Sequence, residues 1–155
     1  ALALREARPF FTVVDPARAA CLYESARAGR PVKIAHGAPT VMAMLECYDP
    51  SPLAWRVLRC VADAFMTVED AAAVEAMNRL ARPVAGDPAI VAGESGGAGL
   101  AGLLTALRDP EAKAMAGLGP QARVLVVNTE GATDPARFRE LVGLEAAEVG
   151  NAGRR

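Results

Sequence analysis

Short apolar runs, each cut off by glycine, proline or acidic residues and followed by a helical pattern, recur along this chain. FFTVV (10 to 14) stops at Asp15-Pro16, VKIA (32 to 35) at His36-Gly37, and FMTV (65 to 68) at Glu69-Asp70. AIVA (89 to 92) runs into a glycine-rich stretch, and RVLVVN (123 to 128) into TEGATD. Runs this short and this rich in Val, Ile and Phe read as buried strands. Strands alternating with helices demand crossover connections, so the expected fold is α/β: a mostly parallel sheet with helices packed on it.

The helices are read from their punctuation. One follows Pro16 and is closed by Gly29; a second stretch starts near Thr40 and ends at YDPSP. Ser51 is placed to cap a third, with Pro52 in its first turn and Leu53, Val57, Val61 and Ala64 at helical spacing. Glu69-Asp70 open a fourth, which ends near Arg82-Pro83; another leaves the glycine stretch and runs to about Leu107. The last is capped by Asp134 with Pro135 behind it and reaches about Val142. Residues 1–143 are taken as one partial domain, and residues 144–155 as a frayed tail.

Charge narrows the partners. The 155 residues include 17 basic and 18 acidic ones, a near cancellation that argues against a nucleic-acid surface or a polybasic membrane patch. No run approaches the roughly 20 apolar residues of a membrane span. Arg5, Glu6 and Arg8 interrupt any signal-peptide core at the N-terminus. The expectation is a cytoplasmic protein whose partner is a small molecule or another chain. Cys21, Cys47 and Cys60 show neither disulfide nor zinc spacing and are read as buried or idle thiols.

In parallel sheets ligands bind beyond the carboxyl ends of the strands, where both glycine-bearing turns fall. AGESGGAGLAGLL (92 to 104) lacks the Lys-Ser/Thr of a nucleotide P-loop. Gly97, Gly99 and Gly102 fit GxGxxG spacing, but the pattern lies partly inside the helix and no acidic residue ends a second strand about twenty positions on. A helix start built for close packing and a ligand-facing turn both remain open. NTEGATDP (128 to 135) puts a hydroxyl and a carboxylate at the sheet edge, with Gly131 for the reversal; an ordinary turn into a capped helix is the alternative. The lone His36 reads as solvated or backbone-bonded, no GxSxG supports a serine nucleophile, and Trp55 reads as core.

Taken together, VVDPARAACLYESARAGRPV, TVMAMLECYDPSPLAWRVLR, GESGGAGLAGLL and VLVVNTEGATDPARFRELVG resemble, in order and spacing, the C-terminal half of the diaminopropionate ammonia-lyases. These are fold type II, tryptophan synthase β-like, pyridoxal-phosphate enzymes, grouped with serine and threonine dehydratases and threonine synthase, and the resemblance implies three layers, with helices on both faces of the mostly parallel sheet. The resemblance implies pyridoxal phosphate as cofactor and a small amino acid as substrate. The implied parent reaction is α,β-elimination on 2,3-diaminopropionate, giving pyruvate and ammonia. Thr129 matches the hydroxyl that bonds the pyridine nitrogen, Glu94 a carboxylate beside the ring, and Ser95 and Gly96 the rest of that wall.

The resemblance also implies what this chain does not carry. No residue here matches a catalytic position or a metal ligand. The lysine that binds the cofactor covalently, the general base and the phosphate loop belong to an N-terminal half, and Lys33 and Lys113 stand outside the lysine motif. The chain is therefore expected to begin mid-domain, to be inactive alone, and either to self-associate or to need its missing half; the full protein is expected to be a homodimer. Met44, Glu46 and Tyr48 replace small residues in a segment bordering the family's active site. That departure supports two alternatives: a non-catalytic binding or interaction module, or an enzyme like the serine and threonine dehydratases.

Overall fold

The computed structural model describes residues 8–84 and 86–152. Two strands, β1 (Thr12–Pro16) and β2 (Ala64–Val68), pair in parallel with Thr12 opposite Ala64 and Pro16 opposite Val68. Seven α-helices accompany them among the described residues: α1 (Cys21–Ala28), α2 (Pro52–Val61), α3 (Asp70–Ala81), α4 (Ala98–Arg108), α5 (Pro110–Met115), α6 (Pro135–Val142) and α7 (Ala146–Ala152). The β-branched Thr12-Val13-Val14 favours the extended pairing, and side chains alternate across the sheet. Val14 and Met66 face α4, where a Cβ on Gly102 would meet a Val14 methyl at 2.6 Å. On the other face Trp55 of α2 lies 6.3 Å from the Phe65 ring, and is buried as the sequence predicts.

Local chemistry fixes the helix ends. Ser51 accepts the Ala54 N–H and Asp134 accepts the Arg137 N–H, with Pro52 and Pro135 in the first turns, as read from the sequence. Gly29 and Gly143 close α1 and α6 in the left-handed conformation, with φ of 67° and 74°. Asp15, at the end of β1, turns its carboxylate onto the start of α1 and accepts the N–H groups of Leu22 and Tyr23 at 3.0 and 2.9 Å. Two apolar clusters result. One gathers Met42, Val68, Ala73, Ala76 and Ala101 between sheet, α3 and α4; the other gathers Met77, Phe138, Val142 and Val149 beneath α6 and α7.

Three expected strands are absent among the described residues. VKIA, AIVA and RVLVVN have no regular secondary structure and join no ladder. In the first two the backbone amides go elsewhere: the Val32 N–H to the Ser25 hydroxyl, the Ile34 N–H to the Tyr48 carbonyl, and the Ile90 N–H to the Leu80 carbonyl. Val124, Leu125 and Val127 are 49, 89 and 66% exposed. The sheet of the described residues is thus two-stranded. The helix expected from Thr40 shrinks to a 3-10 turn at Ala43–Leu45. The Met44 N–H, which a helix would direct at the Thr40 carbonyl, is claimed instead by the Ser95 hydroxyl. The tail is a further correction, because α7 is helical and Val149 is only 1% exposed. Residues 153–155 lie outside the described residues.

Candidate functional site

The two glycine-bearing turns meet, as their position after apolar runs predicts. The Gly93 N–H donates to the Glu130 carbonyl at 3.1 Å, and the Ser95 N–H to Glu130 Oε1 at 3.1 Å. A Cβ on Gly93 would lie 2.5 Å from the Gly131 carbonyl oxygen, so glycine is what lets these backbones touch. The glycines here serve the packing of one turn on the other, and Gly102 the packing of α4 on the sheet. That favours the close-packing reading of the stretch, while the turn itself still faces a cavity.

The cavity measures about 350 Å3 and draws its walls from three segments. Thr40, Val41, Ala43 and Met44 form one side; Glu94 and Ser95 another; Glu130, Thr133, Asp134 and Arg137 the third. Ser95, 6% exposed, joins all three, since its Oγ also accepts the Met44 N–H at 3.1 Å. The lining carries three carboxylates against one guanidinium, and Arg137 is itself paired with Glu140 at 2.8 Å. Chemically the walls offer hydroxyls and acidic acceptors.

The structure sorts the expected residues. Glu94 and Ser95 line the cavity, and Gly96 is buried just behind it against Asn128 and Glu130. Thr129 is exposed and lies outside the lining; its neighbour Glu130 is the residue of NTEG that enters. Of the three departures, Met44 alone reaches the lining, with a side chain 74% exposed at the rim. Glu46 and Tyr48 turn to each other instead, the phenol donating to the carboxylate at 2.7 Å. That hydrogen bond holds the Tyr48 phenol above its ordinary pKa. The exposed His36 lies on the Tyr48 ring, with centroids 3.9 Å apart. Lys33 pairs with Asp49 at 3.4 Å and Lys113 sits on α5, so neither lines the cavity.

A family model described as "Pyridoxal-phosphate dependent enzyme" matches residues 1–140. The chain belongs to this family. It is 38% identical over 133 residues to the diaminopropionate ammonia-lyase of Escherichia coli strain K12, covering 84% of this chain and 33% of that protein. The corresponding enzyme of Salmonella typhimurium is 32% identical over 145 residues, 90% of this chain and 36% of its own length. The crystal structure of the Escherichia coli enzyme, in complex with an aminoacrylate-PLP azomethine reaction intermediate, superposes with a TM-score of 0.75 at 37% identity over 84% of this chain. The chain thus spans about a third of the length of the relatives it matches, less than the half that the resemblance implies. Its fold is that of the fold type II pyridoxal-phosphate enzymes, and pyridoxal phosphate is the family's cofactor. No described helix is long and apolar enough to cross a membrane.

Proposed function

We propose that this chain supplies one wall of the cofactor site in a pyridoxal-phosphate-dependent ammonia-lyase that converts 2,3-diaminopropionate to pyruvate and ammonia. The observation that carries the reading is the meeting of GESG and NTEG at one cavity, in a chain 38% identical to such an enzyme. The residues fit one side of the cofactor: hydroxyls, acidic acceptors and an approach kept narrow by glycine, with no lysine in the lining. When bound, pyridoxal phosphate withdraws electrons from the substrate's Cα, which acidifies its proton and lets the β-amino group leave.

Thr129, on the turn beside the cavity, would offer its hydroxyl to the pyridine nitrogen. A neutral partner there favours the unprotonated ring, in contrast to a carboxylate. Glu94 and Ser95 would stand beside the ring, with Gly96 keeping the wall thin. The lysine and general base would come from the remaining two thirds of the fold, which would also cover the exposed Val124, Leu125 and Val127. The chain alone would then be inactive. A second reading, a non-catalytic module, draws on Met44 at the rim and on the absence of both lysines from the lining.

The test is titration with pyridoxal phosphate, borohydride reduction and peptide mass spectrometry, alongside pyruvate assay with 2,3-diaminopropionate. The chain alone is expected to give no reduced lysine adduct and no pyruvate. Complementation by a polypeptide carrying the first two thirds of the Escherichia coli enzyme should restore both. A specific adduct on Lys33 or Lys113 would overturn the assignment of the lysine to another segment. Failure of complementation in a correctly assembled complex would favour the module.

A further inference from the structure

We infer that Glu130 is a positioning residue of the site: through Ser95, its carboxylate fixes where the Met44 loop stands against the cavity. Three hydrogen bonds form one connected path. Glu130 Oε1 accepts the Ser95 N–H at 3.1 Å, the Glu130 carbonyl accepts the Gly93 N–H at 3.1 Å, and Ser95 Oγ accepts the Met44 N–H at 3.1 Å. The path crosses all three segments that wall the cavity, and its middle residue is buried.

Packing leaves the path little freedom. A Cβ on Gly93 would stand 2.8 Å from Glu130 Oε1, and one on Gly96 would stand 2.6 Å from the Glu130 carbonyl oxygen. A bond from an amide to an ionised carboxylate is stronger than one between neutral groups. Leaving that amide buried without an acceptor is what makes the loss of Glu130 costly. The Ser95 hydroxyl uses an acceptor lone pair on Met44, so its proton is still free to donate into the cavity. Glu130 thereby orients a hydroxyl at the site without itself having to touch a ligand. Met44, whose backbone is pinned while its side chain reaches the rim, is set by the same path.

This positioning role stands on the hydrogen bonds; its link to a cofactor rests on the function proposed above. Amide hydrogen exchange of the 155-residue chain, read by NMR, tests the two separately. Glu130→Ala is expected to speed exchange at Ser95 and Met44 by about tenfold, the worth of one such bond. Glu130→Gln keeps an acceptor oxygen and should restore protection at both. Ser95→Ala should release Met44 while the amide at position 95 stays protected. Met77 and Phe138, in the other cluster, should not change. The inference is overturned if Glu130→Ala leaves Ser95 and Met44 unchanged, if Met77 and Phe138 accelerate to the same extent, or if Glu130→Gln fails to rescue. Adding pyridoxal phosphate to the wild-type chain assembled with the complementing polypeptide, and following the Glu94 and Thr129 amide shifts, addresses the cofactor. Perturbation there supports the link, and its absence counts against the cofactor reading while leaving the exchange result intact.

Discussion

Gly96 lies so close to Asn128 that a Cβ at position 96 would stand 2.3 Å from the Asn128 Oδ1. The Glu130 carbonyl oxygen would be 2.6 Å away on the same side, and backbone cannot swing aside as a side chain can. Gly96→Ala should therefore push the two turns apart at a cost of about 1–3 kcal/mol. Gly131 offers the contrast, since its nearest contacts would be at 3.9 Å. Gly131→Ala should be neutral or slightly stabilising, because it stiffens the unfolded chain. Urea unfolding of both variants checks this, and equal losses would mean that the turns are not in close contact.

Asp15 is buried, and that burial lifts its carboxyl above the ordinary carboxylate range against the opposing pull of the Tyr23 and Leu22 amides. A carboxyl whose pKa is higher folded than unfolded binds more protons in the folded state. Its stabilising contribution is complete below the unfolded value near 3.8 and is lost as pH rises through the raised one. Asp63 and Glu75 run the other way, held low by hydrogen bonds from Arg8 and Arg108. Asp15→Asn keeps an acceptor for the α1 amides and removes the titration. Stability measured from pH 4 to 6 should then climb more steeply with pH in the variant than in the wild type, and parallel curves would contradict this.

Burial, followed by the neighbouring Cys47, pushes the Cys21 thiol up to about 12. Cys47 and Cys60 are exposed. Because the thiolate is the reactive form, iodoacetamide at pH 8 should modify Cys47 and Cys60 in the native chain and reach Cys21 only after unfolding. Peptide mass spectrometry with and without denaturant reads the order directly. Early labelling of Cys21 would show that its site opens readily.

Which elements the sequence announces follows from how local their causes are. Ser51-Pro52, Asp134-Pro135, Gly29 and Gly143 act within one turn, so α2, α6 and the end of α1 are readable from residues alone. A strand needs a neighbour, which alternation cannot supply, and so AIVA and RVLVVN form no ladder. The stretch after Thr40 reads as helical, but the Ser95 hydroxyl, on a distant turn, takes the Met44 amide from outside that pattern. The joining of the two glycine turns is legible because both end apolar runs. Which of Asn128, Thr129 and Glu130 enters the cavity is not, since an irregular turn has no period to assign a face. The glycines opposite were the one available hint, as only a tight partner requires them there.

The tail supplies the last test. Its glycines make GLEAAEVGNAGRR read as frayed, yet α7 forms, with Val149 in one apolar cluster with Phe138, both 1% exposed. The Glu145 N–H donates to the Glu148 carboxylate at 2.7 Å, and Glu145 pairs with Arg139 at 2.9 Å, tying the helix start to α6. Val149→Ala removes buried methyl groups from this contact and should cost about 1.5 kcal/mol or more. Leu125→Lys changes a residue 89% exposed and should stay within about 0.5 kcal/mol of wild type. Thermal unfolding of the two variants decides the matter by contrast: if Val149→Ala is as mild as Leu125→Lys, residues 144–152 are frayed after all and α7 adds nothing to the core.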